Sequence, residues 1–354
     1  MDVAQTKTAG VAVIGAGMVA GTHLAAIADA HQELRLTGVL ARRKGSAQSL
    51  LSKLDLPQLK NAIVYQNLED VLSDGDVSFA ILLTPPNARI DIVSSLAKAR
   101  IPILMEKPIA RNLEEAQQIV DICETANVPL GIVFQHRFRK ASIAARDLVA
   151  SGKLGQLYLA EINIPWWRPQ SYYDEPGRGT YDRDGGGVLI NQAIHTLDLA
   201  LSLTGPVTSV QALSATTKTH EMESEDFAVA GLHFENGAVG SMVASTASYP
   251  GTAETITLHY DKASIKLNSG QLRICWRDQD EEILGEAART GGGADPMAFT
   301  HDWHRSAIDD FSKAVALGQP SAVCGRHALQ VHKLIDAIER SAESGAKIDM
   351  EASL

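Results

Sequence analysis

The stretch Gly15-Ala16-Gly17-Met18-Val19-Ala20 constrains this chain more than any other. It follows an apolar run of strand length, Gly10 to Ile14, and opens a helical pattern over Val19 to Ala30. A G-x-G-x-x-A loop in that setting does backbone chemistry. Gly15 permits the tight turn, Gly17 lets the main chain approach a pyrophosphate, and Ala20 lets the helix pack closely on the strand. The N–H groups of Met18 and Val19 then stand at the positive end of the helix dipole, facing the phosphates. Glycine-rich strand–helix turns also occur without a ligand, but a preceding strand and a following helix are the context that favours a dinucleotide site.

The surrounding pattern agrees. Leu34 to Leu40, Val77 to Leu83, Pro102 to Met105 and Pro129 to Phe134 are short apolar runs separated by helical stretches. One of those stretches starts at Asn112, with Glu115 placed to close a capping box, and continues to about Ala126. Such alternation predicts a doubly wound parallel sheet over residues 1–134. An NAD enzyme usually has an Asp or Glu at the end of the second strand for the ribose hydroxyls. Here Ala41-Arg42-Arg43 occupies that place. Guanidinium groups suit a 2'-phosphate, so NADP is the preferred cofactor and NAD the other possibility; the same arginines could simply solvate the strand end.

After Gly205 the periodicity changes. Phe227 to Phe234 and Ala238 to Thr246 flank Asn236-Gly237, a strong hairpin signal. Thr255 to Tyr260, Ala263 to Leu267 and Leu272 to Trp276 follow, divided by further turns. The second domain, residues 135–354, is therefore expected to be α+β on an open antiparallel sheet. Late helices over Trp303 to Leu317 and Arg326 to Ser344 could pack back on the first domain.

Composition narrows the function classes. A net charge of -10 over 354 residues argues against nucleic acid, whose phosphates need clustered Lys and Arg; the basic run Arg42-Arg43-Lys44 is short. Apolar stretches fall short of the roughly 20 residues that span a bilayer. Met1 to Ala9 lacks the charged and apolar regions of a secretory signal. Cys123, Cys275 and Cys324 have no paired spacing, which suits buried thiols in a reducing cytoplasm.

Two segments carry candidate chemistry. Glu106-Lys107-Pro108 ends the Pro102 to Met105 strand, and in an open parallel sheet ligands bind beyond the C-terminal strand ends. A lysine there can hold a hydroxyl or carbonyl oxygen near a nicotinamide, or can be an ordinary surface lysine. Gly185-Gly186-Gly187 leads into a helical pattern whose Asn191, His195 and Asp198 share one face. Removing hydride from an alcohol requires its proton to be taken up, and neutral imidazole suits that task near neutral pH. A histidine in an apolar helix can equally be a satisfied core residue.

These motifs, with Thr84-Pro85-Pro86-Asn87 and Gln135-His136-Arg137-Phe138 between them, resemble in order those of the glucose–fructose oxidoreductase, inositol dehydrogenase and rhizopine-catabolism family. The resemblance implies catalysis at a substrate carbinol by Lys107 and His195. It also implies a cofactor site drawing on Thr84, Pro85, Asn87, Glu106 and Lys107, and a second domain that mediates homodimers or homotetramers. Many members carry Asp four residues before the histidine, where this chain has Asn191. That pattern is similar to the branch that includes nucleotide-sugar 3-dehydrogenases; Asn191 would then bind substrate and leave His195 as the base. Arg89 stands where the family often has histidine. The resulting expectation is an NAD(P)-dependent oxidoreductase acting on a sugar, polyol or sugar derivative. The other reading is a catalytically silent NAD(P)-binding regulator on the same fold.

Weaker candidates remain. Trp167 could stack on a sugar, as could Tyr172 and Tyr173, and Arg168 could hold a phosphate or carboxylate; packing under a loop is the alternative. The segment 169–184 is long enough for a binding loop. His301 and His304 have metal-ligand spacing but no evident third ligand, so no metal is expected. The acidic run Glu221, Glu223, Glu225, Asp226 reads as a solvated turn.

Overall fold

The computed structural model describes residues 8–43, 45–288, 292–293, 295, 297 and 299–350. Lys44 of the basic run and residues 1–7 lie outside them. The chain divides into two compact units, one of residues 1–110, 114–135 and 300–328, the other of residues 111–113, 136–299 and 329–354.

The first unit is built on a six-stranded parallel sheet. Its strands are β1 (Ala9–Ile14), β2 (Leu34–Leu40), β3 (Ile63–Tyr65), β4 (Phe79–Leu82), β5 (Ile103–Glu106) and β6 (Leu130–Val133). Their order, β3-β2-β1-β4-β5-β6, is the doubly wound order of dinucleotide-binding sheets. β4, β5 and β6 are buried at every position, which is why they read as apolar runs, broken only by Glu106 at the end of β5. The strand order reverses between β1 and β4, so the segments after these two strands flank the crevice where this architecture takes ligands. Helix Asp302–Leu317 belongs to this unit and packs on helix Ala20–Asp29, with Phe311 edge-on to Phe79 at 5.4 Å.

Among the described residues the second unit holds a nine-stranded sheet: β7 (Leu157–Pro165), β8 (Val207–Ala215), β9 (Phe227–Phe234), β10 (Val239–Ser245), β11 (Thr255–Tyr260), β12 (Ala263–Asn268), β13 (Gln271–Trp276), β14 (Glu282–Gly285) and β15 (Ile348–Asp349). Its order is β14-β13-β12-β11-β7-β10-β9-β8-β15. The expectation of a wholly antiparallel sheet needs one correction. β7 and β10, at its centre, run parallel from Leu159↔Val239 to Pro165↔Ser245. The long helical crossover between β7 and β8 makes that possible, since parallel neighbours cannot be joined by a hairpin. The β9–β10 hairpin turns at Asn236-Gly237 as expected: Gly237 adopts φ +86° and the Asn236 Oδ1 accepts the Ala238 N–H at 3.0 Å. Alternating burial along β9, β11 and β12 puts one face of the sheet inside. Helix Lys140–Ala150 packs on β12 and β13, and helix Ile194–Thr204 on β7. No helix among the described residues is long and apolar enough to cross a membrane.

Candidate active site

The Gly15 turn is shaped from both sides. Gly15 adopts φ +119°, and a Cβ there would stand 2.9 Å from the Leu83 carbonyl carbon, so no larger residue fits. A Cβ on Gly17 would meet nothing within 4 Å. The first glycine is thus locked by Leu83, just after β4, while the second faces open space. Ala20 is fully buried, which lets the helix approach the sheet, and Met18 is half-exposed. Helix Ala20–Asp29 has no side-chain cap at Val19 and no acidic residue in its first turn. The Ala20 N–H turns back to the Gly17 carbonyl at 3.1 Å, and with no carboxylate of its own the helix start suits an anion from outside. Across the switch point, Thr84 buries an Oγ1 with no hydrogen-bond partner among the described residues, and Pro85 and Asn87 are exposed. Arg42 and Arg43 lie exposed beyond β2 and form no ion pair with a described residue. These residues fit a dinucleotide.

At the end of β5 the Lys107–Pro108 peptide is cis. The backbone N–H of Lys107 donates to Glu106 Oε2 at 3.1 Å. Arg89, for which the sequence offered no role, is only 2 % exposed and fastens this turn. Its guanidinium donates to the carbonyls of Thr84 (2.8 and 3.0 Å), Glu106 (2.5 Å), Pro108 and Ile109 (3.3 Å). Burial lowers the Arg89 pKa to about 10, still far above neutrality, so it remains a cation beside Glu106. Glu106 itself faces two buried imidazoles: His23 Nε2 at 2.8 Å and His304 Nε2 at 3.5 Å from the same oxygen. Burial pushes the Glu106 carboxyl up, but hydrogen bonds from His23 and His304 outweigh it and hold it well below the usual carboxylate range. Glu106 therefore acts here as an internal anchor, a role beyond the cofactor contact expected of it.

In the second unit, Gly185-Gly186-Gly187 leads through a wide π-type turn, Leu189–Ala193, into helix Ile194–Thr204. Turns of this type often mark functional positions. Glu225 fills the start of that helix: its carboxylate accepts the N–H groups of Gly187 (3.1 Å) and Leu189 (3.0 Å). Asn191 donates its amide to the carbonyls of Gly186 (2.7 Å) and Gly187 (3.1 Å), which orients its side chain toward the turn. His195 is 6 % exposed and stacks on His136, with ring centroids 4.9 Å apart. His136 Nδ1 lies 3.9 Å from Glu254, whose carboxylate also takes Arg139 (2.5 Å) and the Trp166 indole N–H (3.2 Å). Asp198 is paired bidentately with Arg137, both bonds 2.6 Å. The imidazole His195 is thus held by a second imidazole and a buried ionic network. His136, Arg137 and Glu254 escaped the sequence reading as contributors, although the first two sit in a motif it quoted.

The geometry corrects one expectation, that of the acidic run, and gives the other candidates their surroundings. Arg168 is 3 % exposed and donates to the carbonyls of Trp167 (2.8 Å) and Gly293 (2.6 Å), with its guanidinium over the Trp166 and Tyr172 rings. It braces the segment expected to bind a substrate anion. Trp167 is half-buried, edge-on to Tyr249. His301 and His304 do not converge: His301 meets Asp29 at 2.6 Å, whereas His304 meets Glu106. The acidic run is no solvated turn at its end, because Glu225 and Asp226 are buried. Asp226 accepts from the Thr217 hydroxyl and contacts His220, each at 2.7 Å.

Residues 9–134 match the description "Oxidoreductase family, NAD-binding Rossmann fold", and residues 143–266 match the GFO/IDH/MocA C-terminal domain. The chain is 26% identical to D-apiose dehydrogenase of Rhizobium rhizogenes, covering 82% of this chain and 84% of that protein. It is 24% identical to an NADP-linked D-xylose 1-dehydrogenase of Haloferax volcanii, covering 90% and 93%. Among solved structures, the WlbA dehydrogenase of Bordetella pertussis, crystallised with NADH and UDP-GlcNAcA, superposes with a TM-score of 0.83 at 26% identity, over 98% of this chain and 100% of the other. With its doubly wound nucleotide-binding sheet and matching second unit, the chain belongs to the GFO/IDH/MocA family of NAD(P)-dependent oxidoreductases.

Proposed function

We propose that the protein transfers hydride reversibly between NADP, or NAD, and a secondary alcohol or ketone of a sugar, polyol or sugar derivative. The observation that carries this reading is the bracing of the Lys107 turn: Arg89 and Glu106 together take its carbonyls and the Lys107 N–H. Such fixation serves an amine that must meet one oxygen accurately. The dehydrogenases of similar sequence act on sugars by name, and NADP linkage in one of them supports Arg42 and Arg43 as 2'-phosphate ligands.

In the oxidising direction, bound nicotinamide supplies the hydride acceptor. The Lys107 ammonium binds the reacting oxygen and offsets the negative charge that develops on it. His195 takes the hydroxyl proton as general base and returns it as general acid in the reverse direction. Asn191 cannot relay a proton and positions the substrate. Trp167 presents an aromatic face to sugar C–H groups. The three cysteines are free thiols, Cys123 buried as expected but Cys275 exposed; free thiols support a cytoplasmic setting, and a homodimer or homotetramer is the assembly we propose.

Reduced-nicotinamide absorbance, with NADP or NAD and a panel of aldoses, inositols, anhydrosugars and nucleotide sugars, tests this directly. Turnover should depend on one substrate group and run faster with NADP. Lys107→Ala and His195→Ala should each lower kcat by about a hundredfold or more while cofactor still binds. Full turnover in both variants would overturn the assignment.

A further inference from the structure

The turn that carries Lys107 is held by side chains from three other places in its unit. Arg89 takes the carbonyls of Glu106, Pro108 and Ile109. The Lys107 N–H goes to Glu106 Oε2. Glu106 Oε1 is then gripped by His23, from helix Ala20–Asp29, and by His304, from helix Asp302–Leu317. The two rings meet edge to face at 5.0 Å. His23 is 0 %, His304 1 % and Glu106 7 % exposed.

An ionised carboxylate only accepts hydrogen bonds, so both imidazoles present Nε2–H to it. That choice leaves the buried His23 Nδ1 without a partner among the described residues. Placing three titratable groups and an orphan acceptor inside an otherwise apolar layer is costly, and apolar residues would pack there without the cost. The arrangement does one thing an apolar cluster cannot: it fixes both carboxylate oxygens, and through Oε2 the peptide plane that leads into Lys107. With Arg89 holding the carbonyls on either side, the point from which the lysine side chain departs is tied down from both directions.

The same three atoms form a potential metal-ligand set. The 2.8 Å between His23 Nε2 and Glu106 Oε1 is a hydrogen-bond length. Ligands at 2.0–2.1 Å around one tetrahedral zinc would stand about 3.3 Å apart.

We propose that His23 and His304 are positioning residues for Lys107, acting through Glu106. This inference rests on the reading that Lys107 acts on the substrate, and the test separates the two. The full chain is made as His23→Gln, His23→Asn, His304→Gln, His304→Asn, Glu106→Gln and Lys107→Ala. A glutamine amide reaches the place of Nε2, whereas an asparagine amide stops near Nδ1 and cannot touch Glu106. The two histidines are varied separately, so failure of one variant to fold leaves the other to decide.

Two readouts are taken. Amide hydrogen exchange of the peptide spanning Met105 to Ala110 requires no substrate. It should quicken about tenfold or more in the Asn variants and stay near the parent in the Gln variants. With the substrate found in the panel, kcat should fall about tenfold or more in the Asn variants and recover in the Gln variants, with the NADP dissociation constant within about twofold of the parent. In a Glu106→Gln background the Asn substitutions should add little further loss. Parent-like exchange and kcat in folded Asn variants would overturn the inference. So would an equivalent of tightly held zinc or another divalent ion in the purified protein. Full turnover by Lys107→Ala would instead bring down the catalytic reading itself, and the positioning role with it.

Discussion

The molecule contains two glycine-rich turns that open helices, and they are built in opposite ways. At Gly15-Ala16-Gly17 only the first glycine is enclosed; Gly17 faces open space and the helix start carries no side-chain cap. At Gly185-Gly186-Gly187 a Cβ on the first glycine would come 2.3 Å from the Arg111 carbonyl oxygen, and one on the third 1.8 Å from the Glu225 carbonyl oxygen. There the N–H groups at the helix start are already taken by the Glu225 carboxylate. Both turns therefore satisfy the same electrostatic demand of a helix N-terminus for negative charge. One leaves it to a ligand, while the other meets it with a protein side chain buried in the same unit. A glycine-rich turn in a sequence states that backbone must come close to something; whether that something is a ligand or the chain itself depends on residues far away.

The sharpest way to break the comparison is one methyl group in each turn. Gly187→Ala drives a carbon into backbone that cannot move aside, and we expect a loss of about 3 kcal/mol or more, roughly 6–12 °C in Tm, read by thermal unfolding. Gly17→Ala has nothing to strike among the described residues, so Tm should change by less than about 2 °C. Its methyl occupies the approach of the pyrophosphate, and the NADP dissociation constant should rise about tenfold or more, equivalent to about 1.4 kcal/mol, measured by calorimetric titration. If instead Gly17→Ala unfolded the protein while Gly187→Ala spared it, the roles assigned to the two turns would be reversed.

The contrast also explains what could be read in the sequence. The buried parallel strands stood out because both faces of β4, β5 and β6 are covered and, Glu106 at the end of β5 apart, their positions are apolar. The β9–β10 hairpin was legible because Asn236-Gly237 is a local device. β3, three residues long with Ile63 exposed, and the two-residue β15 carry too little pattern to be seen. The parallel pairing of β7 with β10 joins segments more than 70 residues apart, which no local periodicity encodes. The candidate site divides in the same manner. The Gly15 turn is legible because its demands fall on consecutive residues. Glu225 read as part of a solvated acidic turn because its partners, Gly187 and Leu189, lie 38 and 36 residues away. His23 draws no notice within its helix, and His304 is weighed only with His301 as a metal ligand and set aside, since the carboxylate they share belongs to a distant strand end. Arg89 acquires its role only once the loops after β4 and β5 stand side by side.

A smaller effect sharpens the picture of the self-filled turn. Glu225 supplies its negative charge next to another acid, Glu339. Burial, then the charges of Glu225 and Asp336, push the Glu339 carboxyl up to about 8. Burial likewise raises Glu225, although the N–H groups of Leu189 and Gly187 pull it back down. The pair therefore leaves the capping position to Glu225 and the proton to Glu339. The folded protein holds that proton more tightly than the unfolded chain, whose glutamate titrates near 4.5. The contribution of Glu339 is thus most favourable below the unfolded value and is lost as pH rises from about 4.5 through about 8. Glutamine mimics the protonated acid at every pH, so Glu339→Gln should match the parent near pH 4.5 and exceed it in alkali. Half-burial and water relaxation weaken the full linkage, and we expect a gain of about 1 kcal/mol, roughly 2–4 °C in Tm, at about pH 9. A Tm difference that does not change between about pH 5 and about pH 9 would show that Glu339 carries no proton beside Glu225. The second turn would then be filled by two charges instead of one.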